Sequence, residues 1–167
     1  MSSLAGSFLV ARHSLQDPNF RQTVVLILQH GSEGAFGVIV NRRAPVKKPS
    51  YEIFIGGPCE SPGLILLHGH PDLASASEEE EPKEAAPGIF LGGATAASWI
   101  GDLPEGATLR VRLITGYSGW GAGQLEGEMA LGTWAVVPAN GQLLFDTPPE
   151  ELWDHLAPPR IPEPSAN

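Results

Sequence analysis

GYSGWGAGQLEGE, residues 116–128, puts five glycines around a tyrosine, a tryptophan, a glutamine and two glutamates. A phosphate-cradling loop would need a lysine and a Ser/Thr at fixed offsets, and this stretch has no lysine. The dinucleotide fingerprint fails because Gly119, Gly121 and Gly123 fall at every second position with no glycine at 126. A nucleophile elbow fails because Ser118 is followed by Gly119 and Trp120. The remaining reading is a glycine-paved corner. In it Tyr117 and Trp120 fold back onto a sheet, and a short helix starts at Gln124 with Glu126 and Glu128 near its positive end. Immediately upstream, ATLRVRLITGY (107–117) alternates with a period of two and reads as a strand leading into that corner.

Working outward, GSFLVAR (6–12), TVVLILQH (23–30), GVIVN (37–41), IFIGGP (53–58), GLILLHGH (63–70), IFLGG (89–93) and TWAVVPA (133–139) read as further strands. The segment 23–30 is apolar enough to be buried on both faces. QDPNF and HGSEGAFG (30–37) are turns, and RRAPVKKPSYE (42–52) reads as a polar loop. ATAASWIGDL (94–103), QLEGEMALG (124–132, interrupted by Gly127) and DTPPEELWDHL (146–156, capped by Asp146 or Thr147) read as short helices. IFIGG (53–57) and IFLGG (89–93) raise the possibility of a duplicated unit, although five residues do not establish one. Residues 71–87 form an acidic, Ala/Ser/Pro-rich excursion with nothing to bury. Many short strands without regular βαβ alternation indicate an α+β class. One domain over 1–157 followed by a proline-rich tail, 158–167, accounts for the length.

Composition narrows the function classes. The 167 residues carry a formal charge of −9, which opposes capture of nucleic acid or an anionic membrane surface. The one local basic patch is Arg42, Arg43, Lys47 and Lys48. A single cysteine, Cys59, excludes an internal disulfide and suits a reducing compartment. The first thirteen residues lack a basic n-region and a long apolar run, so no signal peptide is read, and the expectation is a cytoplasmic protein. His68, His70 and Asp72 share a strand register but run through Gly69 and Pro71, and they are assigned no metal. No cofactor loop or nucleophile–base pair is evident.

LQDPNFRQTVVLI (15–27), HGSEGAFGVIVNR (30–42), IGGP (55–58), LLH (66–68), GYSGWGAGQLEGE (116–128), Trp134 and LLFDTPPEELW (143–153) together resemble the YqgE/AlgH family of bacterial proteins. The resemblance covers most of residues 5–157. It implies several mostly antiparallel strands curled into a pseudo-barrel with short flanking helices. It supplies no reaction, and its link to transcriptional control of exopolysaccharide production is a matter of name. The motif positions here are Asp17, Asn19, Phe20, Thr23, His30, Asn41, Arg42, Gly56, Gly57, Pro58, His68, Tyr117, Trp120, Gln124 and Glu126. Relatives carry a helix after the Asn-Arg pair where this chain has only RRAPVKKPSYE, and the acidic excursion looks private to this protein.

Turn chemistry explains Asp17 and Asn19, core filling explains Phe20 and Trp120, and the glycines permit tight turns. Asn41, Arg42, Tyr117, Gln124 and Glu126 are the candidate ligand-binding set, for an anionic or amide-bearing ligand, with an Arg42–Glu126 ion pair as the structural alternative. The leading reading is a non-enzymatic regulatory or binding protein with a protein or small-ligand partner. A DNA-binding regulator and an enzyme built on Asn41, Arg42, Tyr117 and Glu126 are the alternatives.

Overall fold

The computed structural model describes residues 2–48, 51–71, 83–92 and 110–158. Among them are ten strands: β1 (Ser7–Ala11), β2 (Val24–Gly31), β3 (Gly34–Ile39), β4 (Arg43–Lys48), β5 (Tyr51–Ile55), β6 (Cys59–His68), β7 (Lys83–Ala86), β8 (Ile89–Gly92), β9 (Val111–Gly121) and β10 (Trp134–Pro138). Three short helices accompany them: α1 (Gln124–Ala130), α2 (Gly141–Asp146) and α3 (Pro149–Leu156). The strands form one curled sheet in the order β10-β1-β2-β3-β9-β6-β8-β7, with β5 also on β9 and β4 on β5. Only the β5–β9 pairing is parallel among the described residues. The result is an α+β half-barrel.

The eleven-residue β9 is the spine. One of its edges pairs with β6, from His68↔Val111 to Cys59↔Tyr117. The other edge takes β5 at residues 113–115 and then β3 at residues 118–121. Between those two partners sits Gly116, at φ +80°. This residue reverses the alternation of the strand. Ile114 belongs to the core inside the half-barrel, and Tyr117 rather than residue 116 is the next side chain packed there. Trp120 falls on the opposite face, in a second core.

The two cores explain why the central residues of the first three strands are apolar on both faces. Phe8, Val10, Val24, Leu26, Val38 and Val40 face the interior. Leu9, Ala11, Val25, Ile27 and Ile39 face outward under Leu125 of α1, Trp120 and Trp134. The expectation that residues 23–30 are buried on both faces holds for Val24 to Ile27, all fully buried. Helix α3 closes one side, its Trp153 indole donating to the Ala11 carbonyl at 2.7 Å. The far margin of the sheet returns toward the start of the chain, with no strand ladder there among the described residues. The Gly141 amide donates to the Pro87 carbonyl at 2.8 Å, and a Cβ on Gly6 would lie 3.1 Å from the Ala85 carbonyl.

Several segments differ from the sequence reading. RRAPVKKPSYE contributes a hairpin, β4–β5, rather than a loop. Proline and lysine obscured it, yet these are the residues tolerated on an edge strand, which β4 is. Residues 83–86 of the acidic excursion form β7, while 72–82 and the helix read at 94–103 lie outside the described residues. α1 passes through Gly127 without interruption. The helix read at 146–156 is α3, which starts later, at Pro149; the reading missed α2 before it, which Asn140 caps by accepting from the Leu143 amide at 2.8 Å and which Asp146 ends instead of starting α3. The two IF-Gly-Gly echoes each lie on the second strand of an antiparallel hairpin, β4–β5 and β7–β8, but differ on the other side, where β5 runs parallel to β9 and β8 antiparallel to β6.

Gly116→Ala tests the reversal. A Cβ there meets the Gly57 and Cys59 carbonyls at 2.9 and 3.0 Å in a backbone conformation that disfavours side chains. The expected cost is at least about 2 kcal/mol in urea unfolding. Gly127→Ala, in open helical space, should instead stabilise by roughly 0.5–1 kcal/mol. Equal effects of the two substitutions would contradict the assignment.

Candidate functional site

The predicted polar residues are divided among three places. Asn41 and Arg42, following β3, clasp the DPNF turn. Asn41 accepts from the Val24 amide at 2.9 Å and donates to the Gln22 carbonyl at 3.0 Å. Arg42 donates to the Asn19 and Arg21 carbonyls at 2.7 and 3.3 Å. Asp17 accepts from the Asn19 amide at 2.8 Å, and Thr23 donates to the Phe20 carbonyl at 2.6 Å. The clasp seats the Phe20 ring against Trp120 and Trp134.

Gln124 and Glu126 lie on α1, which sits over the second core. Glu126 does not pair with Arg42; its partner is His30, at 2.6 Å from Nε2. The Leu4 amide donates to His30 Nδ1 at 2.9 Å, so the neutral ring carries its proton on Nε2 and donates it to Glu126. His30, its side chain only 3% exposed, thereby joins the N-terminal segment and α1 to β2. The hydrogen bond from His30 holds the Glu126 carboxyl below its ordinary range. Glu128 is the hub of the same network: it accepts from both the Trp120 and Trp134 indoles, at 3.2 and 2.9 Å, and from Gln124 at 3.1 Å. Gln124 also accepts from the Gly121 amide at 3.0 Å. Tyr117 is in neither group. It lies inside the half-barrel with its ring 5.0 Å from that of Phe36.

His68 is buried in β6, stacked on Phe90 at 5.6 Å and on His70 at 6.2 Å. Burial, and secondly the nearby His70, push its pKa down. Gly56 and Gly57 lie where the chain crosses β9, and Asp72 is outside the described residues.

The sequence reading missed two features. The first is a chain of cation–ring contacts. Arg43 and Arg112 lie 5.5 and 5.6 Å from the Phe54 ring centre, and Arg112 and Arg110 lie 5.3 and 5.2 Å from that of Phe145. Arg43 pairs with Glu150, whose carboxyl it holds low, and Arg110 pairs with Asp146 at 2.9 Å. The buried Arg112 donates to the Val111 and Leu144 carbonyls at 3.1 and 3.4 Å. The alternation of Arg110 and Arg112 was visible in the sequence, but nothing linear marked the distant rings they meet.

The second is the mouth of the half-barrel, a hollow of about 600 Å³ lined by Ala5, Leu28, Gln29, Phe36, Ile65, Glu84, Ala85 and Leu91. Leu28, Phe36, Ile65, Ala85 and Leu91 are each half-buried, four of them resting on the inner core with one side open. A shallower hollow of about 470 Å³ over the β2–β3 turn includes His30 and Trp120. Both nitrogens of that histidine and the indole N–H are already engaged.

Fold and site define a small half-barrel protein whose motif polar groups brace the scaffold beside an apolar mouth. The chain belongs to the AlgH-like family, whose model matches residues 8–158. It is 32% identical over 169 residues to a UPF0301 protein of Myxococcus xanthus, covering 92% of this chain and 89% of that one. It is 36% identical over 166 residues to a UPF0301 protein of Chlamydia trachomatis serovar L2b, covering 90% and 83%. The solution structure of AlgH from Pseudomonas aeruginosa matches with a TM-score of 0.69 at 28% identity, over 92% of this chain and 87% of that one. A crystal structure from Corynebacterium diphtheriae matches with a TM-score of 0.74 at 24% identity, over 93% and 86%.

Two outcomes check the scaffold roles. His30→Ala leaves the Leu4 amide and Glu126 without their partner and should cost about 1–3 kcal/mol, with faster hydrogen exchange at Leu4. Unchanged exchange at Leu4 would contradict the latch. Because the folded pKa of His68 is lowered, the unfolded chain takes up that proton first as pH falls below about 6.5, and stability declines. His68→Phe should flatten the stability profile between about pH 7 and 5. The lowered pKa values of Glu126 and Glu150 act at more acid pH, where their stabilisation is lost as each carboxylate protonates.

Proposed function

We propose that the protein works as a binding protein and that the half-barrel mouth takes a small amphipathic ligand. The observation that carries this reading is the mouth itself. Its volume lies within the range of small-molecule sites, its walls are apolar side chains left half-buried, and its polar residues are few, Gln29 and Glu84. The motif residues support it from the other direction, because Asn41, Arg42, Gln124, Glu126, Glu128 and His30 all have internal hydrogen-bond partners that fix backbone or helix positions. Such residues keep the mouth in shape, and contact with ligand falls to the walls.

The test uses the neutral apolar fluorophore N-phenyl-1-naphthylamine. Wild-type protein should bind it saturably. Ile65→Glu, with a charge introduced on the wall, should weaken binding at least about tenfold while melting within a few degrees of wild type. No saturable binding, or equal binding by a folded Ile65→Glu protein, would refute the proposal.

A further inference from the structure

The lining of the mouth also selects the head group. We infer, resting on the reading of the mouth as the ligand site, that the preferred ligand is an apolar chain or ring bearing a cationic amine, with the amine directed to Glu84. The polar lining residues are unequal in kind. Gln29 is an amide that can donate or accept, whereas an ionised Glu84 can only accept. Among the described residues lining the mouth none is basic, so an anionic head meets no opposite charge there. The whole chain carries −9, so its net field favours the approach of a cation over that of an anion. Leu28, Phe36, Ile65 and Leu91 supply the apolar contact for the body, across a hollow that draws on β2, β3, β6 and β8. The two parts divide the work: the apolar wall provides affinity, and Glu84 provides the preference among heads. Because Glu84 is exposed, that preference is modest and sensitive to salt.

Octylamine, 1-octanol and octanoate, which share one chain length, separate the contributions when each displaces N-phenyl-1-naphthylamine from the full-length protein. The expected order is amine, then alcohol, then carboxylate, with the amine about three- to fivefold tighter than the alcohol at low salt. Glu84→Gln should bring the amine level with the alcohol and leave the alcohol unchanged, and about 0.5 M salt should do the same to wild type. If the three ligands bind wild type equally, or octanoate binds tightest, and Ile65→Glu still abolishes binding, the head-group inference falls and the mouth stands. If none of the three binds, or binding persists in Ile65→Glu, the mouth reading falls and the inference with it.

Discussion

The crossing of Gly56-Gly57 against Gly116 is the contact on which the rest of this fold depends. Two backbone segments approach there without room for side chains. The Gly56 amide donates to the Thr115 carbonyl at 2.8 Å, and the Gly56 carbonyl accepts from both the Ile39 amide and the buried Ser118 hydroxyl, at 2.8 and 3.0 Å. The same glycine therefore joins the ends of β3 and β5 to the middle of β9. A side chain at 56 or 57 would run into Gly116, Tyr117 or Ser118. Gly116 then supplies the positive φ that shifts the alternation of β9 by one residue. A register change in one strand moves each later side chain to the other face, and here the later side chains are Tyr117 and Trp120.

That shift sets which ring joins the braced side of the molecule and which the open side. Trp120 lands outside the half-barrel, where Glu128 gathers it with Trp134, α1 covers it and His30 ties helix to strand. Tyr117 lands inside, under Phe36 and near the half-buried side chains of the mouth. Among the described residues the curled sheet has no strand ladder between its margins, and Leu28, Ile65, Ala85 and Leu91 of the inner core are only half-buried. Position, rather than any reactive group, marks that layer as the proposed site: its half-buried side chains rest on a buried inner core, across the sheet from the core that α1 covers.

Local patterns made much of this legible. Alternation at 107–117 and the apolar run at 23–30 located β9 and β2, and the glycine-rich stretch announced a special backbone beside Tyr117. Its consequence was not legible, because a bulge and a corner both ask for glycine, and only the partners at Gly56 and Cys59 distinguish them. The polar motif residues were found but not their associations. His30 and Glu126 are 96 positions apart, and nothing in either neighbourhood names the other. The mouth left the weakest trace, since Leu28, Ile65 and Leu91 look like any strand leucines and isoleucine. How the margins of a curled sheet meet depends on distant strands and has no local signature.

The most direct measurement is a set of aromatic NOEs from isotope-labelled protein, assigned for Tyr117 and Trp120. The account predicts that the Tyr117 ring sees Phe36, and that the Trp120 ring sees Leu125, Trp134 and Phe20 without sharing inner-core partners with Tyr117. If the rings trade places, with Tyr117 against Leu125 and Trp134 and Trp120 against the inner core that holds Ile114, β9 does not reverse at Gly116, and the division into a braced side and an open mouth is wrong.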